Sequence, residues 1–383
     1  MISKANRLND VKEYYFSKKL REVGQLIGAG KPIISLGIGS PDLDPPKEVL
    51  EAITSSFEDT MAHGYKSYQG IPELRDSMVG FYKSHYDVML NPANEVLPLL
   101  GSKEGIMHIS MAFLNEGDQV LIPNPGYPTY SSVTKLVGAE ALMYNLTEKN
   151  GWLPDYKEIE KNDLSKVKIM WVNYPHMPTG TKASDELFVE LIAFAKKHKI
   201  LIVNDNPYSF ILNDSPKSIL QYEGAKEVAL ELNSLSKSFN MAGWRVGMVL
   251  GADTYLTEVL KVKSNMDSGM FYGIQKGAVK ALEMSSDWFV GINKVYARRR
   301  VLTWKILDAL NCVYNKENGG MFVWAKLPEG ITSEQMTDKM LYEKDVFLTP
   351  GTVFGSNGEG YIRLSLCVQE EKLEEVLMRV KNK

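Results

Sequence analysis

Val228-Ala229-Leu230-Glu231-Leu232 runs directly into Asn233-Ser234-Leu235-Ser236-Lys237-Ser238-Phe239-Asn240-Met241-Ala242-Gly243-Trp244-Arg245-Val246-Gly247. The first five residues have the length and apolar character of a buried strand. The remainder sets one amine, Lys237, among hydroxyls, with the guanidinium of Arg245 eight residues later. Comparable runs recur at Val96 to Leu100, Val120 to Ile122, Val167 to Val172, Ile200 to Asn204 and Val246 to Leu250, separated by helical stretches. One such stretch carries all its signals: Ser184 as N-cap, then Leu187, Phe188, Leu191 and Phe194, then a basic end at Lys196-Lys197-His198. The rhythm predicts an α/β fold with a mostly parallel central sheet covered by helices on both faces. Ligands of such sheets gather beyond the carboxyl ends of the strands, so chemistry is expected just after each run.

Three of these strand ends carry functional groups. After Ile200 to Asn204 come Asp205-Asn206-Pro207-Tyr208, a carboxylate and a phenol. After Val96 to Leu100 come Gly101-Ser102-Lys103-Glu104-Gly105, a small-residue turn opening a helix whose free NH groups suit an anion. The third end holds Lys237. Singly, each has a plainer reading: a surface lysine, a turn aspartate, an ordinary N-cap. Together they supply what pyridoxal phosphate needs: an amine for its carbonyl, an acid for its ring nitrogen and donors for its phosphate.

The chain has 383 residues, enough for two lobes. Its 44 basic and 47 acidic residues leave a formal charge of −3, which offers no field for nucleic acid or an acidic membrane. Apolar runs such as Leu191 to Ala195 fall far short of the ~20 residues of a membrane span. The start, Met1 to Arg7, lacks the apolar core of a signal peptide, and Cys312 and Cys367 form no disulfide framework or metal spacing. A cytoplasmic protein without a metal is expected. Phosphate-loop, His-Glu-x-x-His and Gly-x-Ser-x-Gly motifs are absent. A helix from about Asn293 to Leu310 leads into a strand-rich region opening at Gly319-Gly320-Met321-Phe322-Val323-Trp324.

Across nearly its whole length the sequence resembles the class I and II pyridoxal-phosphate aminotransferases, of the aspartate-aminotransferase-like fold. The likeness rests on Gly37-Ile38-Gly39-Ser40-Pro41-Asp42, on Tyr65 with Gly70 to Arg75, on Gly101 to Glu104 and on Pro125-Gly126-Tyr127-Pro128. It continues through Pro178-Thr179-Gly180, Asp205 to Tyr208, Ser234 to Gly247, Pro350-Gly351, Phe354-Gly355 and Arg363-Leu364-Ser365. The resemblance implies an N-terminal segment, 1–45, packed with a small α+β domain, 286–383, and a large cofactor domain, 46–285. The implied activity moves an amino group from an α-amino acid to a 2-oxo acid by a ping-pong mechanism. A carbon–sulfur β-lyase is the alternative within the fold. Lys237 is implied as the residue joined to the cofactor and as acid/base, Asp205 as partner of the ring nitrogen, and Tyr208 as donor to the ring oxygen. Tyr127 is implied to stack on the ring, and Ser102, Lys103, Ser234 and Arg245 to form the phosphate cup. Gly39 and Arg363 would receive the substrate α-carboxylate, for which a planar fork suits better than an ammonium. Tyr65 would reach the phosphate of a neighbouring subunit, giving a homodimer with shared active sites.

The sequence departs from the family at Asn173-Tyr174-Pro175-His176-Met177-Pro178-Thr179-Gly180, where Met177 stands in the place of a usual asparagine. A thioether cannot donate a hydrogen bond. Tyr208 is then the main protein donor to the ring oxygen, and the lysine–cofactor link is expected to titrate at higher pH. His176 or water is a substitute donor, but a histidine beside Pro175 reads more readily as a loop residue. Arg298-Arg299-Arg300 splays around its helix as a solvated or inter-lobe face. The stretch Ser264 to Gly269 is similar to loops in a branch containing LL-diaminopimelate and alanine-type aminotransferases. Tyr14, Tyr15 and Phe16 leave two readings open: helical core packing, or the wall of a mouth for an apolar donor.

Overall fold

The computed structural model describes residues 2–9, 11, 13 and 15–382; Tyr14 lies outside them. In chain order the strands are β1 (Ile34–Ser35), β2 (Val96–Leu99), β3 (Gln119–Asn124), β4 (Glu140–Asn145), β5 (Val167–Val172), β6 (Leu201–Asp205), β7 (Ala229–Ser234) and β8 (Gly247–Gly251). Further along the chain come β9 (Val313–Tyr314), β10 (Phe322–Lys326), β11 (Val346–Phe347), β12 (Thr349–Pro350) and β13 (Tyr361–Ser365). Seven of them form one sheet in the order β2-β8-β7-β6-β5-β3-β4. Only β8 runs against its neighbours, so the expectation of a mostly parallel sheet holds.

Side chains of a strand alternate between faces, and the two faces of this sheet bury separate cores. Leu97, Leu99, Val120, Ile122, Ile169, Trp171, Val203, Leu230, Leu232 and Val249 share one. Val96, Leu121, Met170, Val172, Ile202, Ala229, Met248 and Leu250 share the other. Covering both faces requires helices on both, which is why the strands read as near-continuous apolar runs. The helix Asp185–His198 begins where expected: Ser184 Oγ accepts from the Leu187 N–H at 3.2 Å.

Three features differ from the sequence reading. β4 has no counterpart in it, because as an edge strand it carries Glu140 and Asn145 and is mostly exposed or half-buried. β5 falls where expected, and the other expected strands differ at one or both ends by one or two residues, β7 reaching forward to Ser234. The helix expected from Asn293 begins earlier, at Ser286, and runs to Ala309; Gly291, a poor helix former, masks its first turns in the sequence. C-terminal to it, β12-β13-β10-β9 make a second sheet, antiparallel throughout. β1 pairs in parallel with β11, tying the N-terminal segment to this region. Among the described residues no helix is long and apolar enough to cross a membrane.

Candidate active site

Ten of the eleven residues singled out from the sequence line one cavity of about 440 Å³: Gly39, Ser102, Lys103, Tyr127, Asp205, Tyr208, Ser234, Lys237, Arg245 and Arg363. Asp205 closes β6, Ser234 closes β7, and Lys237 stands on the short turn of helix Leu235–Ser238 just beyond β7. The cavity therefore opens at the carboxyl ends of the parallel strands. Tyr65 is not in the lining; it lies on the surface, 91% exposed.

At one end, Gly101 adopts a left-handed φ of 92° and caps the helix Ser102–Phe113, leaving that helix's first NH groups at the cavity. A Cβ on Gly101 would fall 2.0 Å from Arg245 Nη2, so only glycine lets the guanidinium approach the helix start. Arg245 Nη1 donates to the Ala242 carbonyl at 3.0 Å and to Ser236 Oγ at 3.4 Å, while Ser234 Oγ donates to Ser236 Oγ at 2.7 Å. This end is cationic, hydroxyl-rich and supplied with backbone donors, the donor set a phosphate dianion requires.

In the middle, Asp205 is buried and its Oδ2 accepts from Tyr130 Oη at 2.9 Å, whereas Oδ1 has no partner. Burial pushes its carboxyl up to about 7, the Tyr130 hydroxyl pulling the other way. A cationic ring N–H would supply both the missing donor and the missing charge, so this site fits pyridoxal phosphate. Tyr130 is in turn stacked on Trp171 at 4.9 Å. Asn173 holds the strand end: its Nδ2 donates to the Asp205 carbonyl and its Oδ1 accepts from the Met177 N–H at 2.7 Å. Sequence reasoning misses both Tyr130 and Asn173. Tyr130 comes after Tyr127 at helical spacing, the one signal that could have found it.

At the other end Lys237 Nζ donates to the Gly39 carbonyl. Burial lowers the ammonium's pKa, and the charges of Arg363 and Arg245 push the same way. Arg363 is 4% exposed; its Nη2 donates to the Gly37 carbonyl at 2.7 Å and its Nη1 to Met177 Sδ at 3.3 Å. Its guanidinium lies 3.9 Å from the Phe322 ring centroid, 4.7 Å from Phe354 and 5.5 Å from Phe16. Aromatic faces hold a desolvated guanidinium without consuming its fork. A Cβ on Gly39 would sit 2.2 Å from the Phe322 ring, which explains the glycine there. Phe16 answers both open readings, since it is buried in the core and also lines the cavity beside Leu20 and Ile38. His176 does not line it. Its Nδ1 shares a 2.8 Å hydrogen bond with Thr179 Oγ1 and burial holds its pKa down to about 3, which leaves it a residue of the loop and not one of the cavity's donors.

Among the described residues the metal-capable side chains Glu104, His108 and Asp267 approach one another. Lys263 Nζ already donates to both oxygens of Asp267, at 2.9 and 2.8 Å, and supplies the cation there.

The chain is 40% identical to an LL-diaminopimelate aminotransferase of Dehalococcoides mccartyi over 99% of its own length and 98% of that protein's. It is 38% identical to one of Halothermothrix orenii over 100% and 98%. A solved structure described as apo-BacF of Bacillus subtilis superposes with a TM-score of 0.95 at 35% identity, covering 100% of this chain and 98% of that one. The family model for aminotransferase class I and II matches residues 31–380, and the chain belongs to that family.

Proposed function

We propose that this aminotransferase takes LL-diaminopimelate as its amino donor, and that the ten cavity residues perform the roles their chemistry suits. The single observation that carries the assignment of roles is the convergence of Lys237, the half-partnered Asp205, the Gly101–Arg245 anion end and the Arg363 fork on one cavity. The donor itself comes from the full-length likeness to enzymes of that name.

When bound, pyridoxal phosphate supplies the carbonyl that carries the amino group and an electron-withdrawing ring for the carbanion formed at the substrate Cα. Ser102, Lys103, Ser234 and Arg245 hold the phosphate, Tyr127 stacks on the ring and Tyr208 donates to its oxygen. Asp205 keeps its charge by facing a protonated ring nitrogen, and so maintains that proton. Arg363 takes the α-carboxylate with both arms of its fork, beside the backbone of Gly39, which orients the Cα–H toward Lys237. With its pKa lowered by burial, Lys237 Nζ would accept the Cα proton as a general base and later return it as a general acid. Amino donor and oxo-acid acceptor use the same site in turn, which makes the kinetics ping-pong.

Tyr65 is exposed, as are the apolar residues Phe57, Met61, Tyr68, Met266 and Phe271, of which Phe57 and Phe271 bring their rings within 5.8 Å, and this exposed apolar surface suits an interface between two copies. In that homodimer Tyr65 serves the partner's cavity, and residues 1–45 with 286–383, and 46–285, act as the two units. Cys312 and Cys367 are free and buried, which suits the cytoplasm. A second reading, an apolar or aromatic donor, is favoured by Phe16, Leu20 and Ile38 at the cavity wall. The lyase alternative is not favoured, because the relatives are aminotransferases.

The test is the visible spectrum of the loaded enzyme mixed with single amino acids and no oxo acid. LL-diaminopimelate converting the cofactor to its amine form supports the first reading, and conversion by apolar amino acids alone replaces it with the second. Pyruvate release without the amine form would restore the lyase.

A further inference from the structure

Of the three successive arginines, each goes to a different place. Arg298 meets Glu370 at the surface and Arg300 Nη1 donates to the Asn318 carbonyl. Arg299 points inward and is 3% exposed. Its Nη1 and Nη2 donate to Asp42 Oδ1 and Oδ2 at 2.6 and 2.9 Å, a bidentate fork, and Nη1 also donates to the Leu366 carbonyl at 3.1 Å. Neither Arg299 nor Asp42 touches the cavity.

Asp42 belongs to a strap, residues 36–44, that passes along the carboxylate end. The Leu36 N–H donates to the Phe347 carbonyl at 2.8 Å and the Leu36 carbonyl accepts from the Ser365 N–H at 2.7 Å. The Gly37 carbonyl accepts from Arg363 Nη2 and from Thr349 Oγ1 at 2.9 Å, and the Gly39 carbonyl accepts from Lys237 Nζ. Past the Asp42 fork, the Asp44 carbonyl accepts from Asn240 Nδ2 at 3.1 Å. Arg299 thus grips the strap just beyond the two carbonyls that touch Arg363 and Lys237. Its bond to Leu366 grips the same chain that carries Arg363, three residues on.

We infer that Asp42 and Arg299 are positioning residues for the amino-acid carboxylate, setting the distance between the strap and β13 and with it the placement of the Arg363 fork. The inference deepens the proposed function and rests on its assignment of Arg363 as the carboxylate receptor. A planar guanidinium that spans two segments fixes their separation and angle, which a lysine at the same place cannot do. Small displacements at a substrate subsite cost binding geometry far more than they cost folding.

The experiment compares three forms of the full-length loaded enzyme. Asp42→Leu with Arg299→Met removes the pair without stranding a buried charge. Arg299→Lys keeps a cation opposite Asp42 and loses the fork that spans both segments. Arg363→Lys alters the receptor itself. The double variant is expected to keep its melting temperature and its cofactor affinity while KM for the amino donor rises about tenfold or more and kcat changes by less than about threefold. Arg299→Lys moves KM the same way by a smaller factor, and decides the matter if the double variant does not fold. A KM within about twofold of the parent in the folded variant overturns the inference, provided Arg363→Lys does raise KM. If Arg363→Lys leaves KM untouched, it is the reading of the site that falls.

Discussion

At the anion end of the cavity, Ser102, Lys103, Ser234 and Arg245 all issue from strand ends of one sheet, within a few residues of a hydrogen-bonded ladder. At the carboxylate end, Gly39, Met177 and Arg363 come from an N-terminal strap, a loop after β5 and the second sheet, and the aromatic faces on Arg363 come from three further positions. The first end is rigid because its elements are covalently and laterally continuous. The second depends on how separate segments are held together, by the Gly37 carbonyl, the Asp42–Arg299 pair and β1 pairing with β11. The difference predicts that the two ends can be damaged independently.

The largest effects test that independence. Arg245→Gln is expected to weaken cofactor binding by on the order of a hundredfold or more, with most of kcat recovered at saturating cofactor. Arg363→Gln is expected to leave the cofactor dissociation constant nearly unchanged and to lower kcat/KM for the amino donor by on the order of a hundredfold or more. Both constants come from absorbance titration and steady-state rates. Equal loss of cofactor affinity in the two variants would break the comparison.

Asp205 lies between the ends and separates function from stability. Its carboxyl, raised from 3.8 to about 7 in the folded chain, binds its proton more tightly folded than unfolded. The cofactor-free protein therefore loses stability as pH rises from about 4 to about 7, by up to about 4 kcal/mol in full above that window. Asp205→Asn has no such titration. Without cofactor it is expected to be as stable as the parent near pH 4 and more stable at pH 8, measured by thermal unfolding, while the loaded variant is severely impaired in turnover. A parent whose cofactor-free stability stays flat across that pH range would show that Asp205 finds another partner.

What could be read from the sequence divides along the same line. Lys237, Asp205 and the Gly101–Ser102 turn were legible because each sits immediately after an apolar run, and strand period and strand end are local properties. The covering of the sheet on both faces followed from the same runs. β4 escaped because an edge strand with Glu140 and Asn145 has no continuous apolar signal. Tyr130 and Asn173 escaped because their importance lies in what they meet, the Asp205 carboxyl and its carbonyl, across strands rather than along them. The aromatic faces on Arg363 are a property of three distant phenylalanines. His176 shows that nearness in sequence is not nearness in the site: beside the altered position, it hydrogen-bonds Thr179 and does not line the cavity.

The smallest effect is expected at Met177, and it bears on whether the two ends communicate. Met177 is 6% exposed, lines the cavity and accepts from Arg363 Nη1 through a sulfur that is a weak acceptor and no donor. An amide at this position would add a donor to the cavity on a shorter, planar side chain. If that donor reaches the cofactor's ring oxygen, it stabilises the anionic oxygen and makes the proton shared with the Lys237 link easier to lose. Met177→Asn should therefore lower the pKa of that link, read by titrating the visible band, by about one unit or less. Because Arg363 keeps its Gly37 carbonyl and its aromatic faces, KM for the amino donor should change by less than about threefold. A pKa that does not move downward would show that Met177 only packs against the guanidinium. A large rise in KM with no pKa shift would place its effect wholly at the carboxylate end.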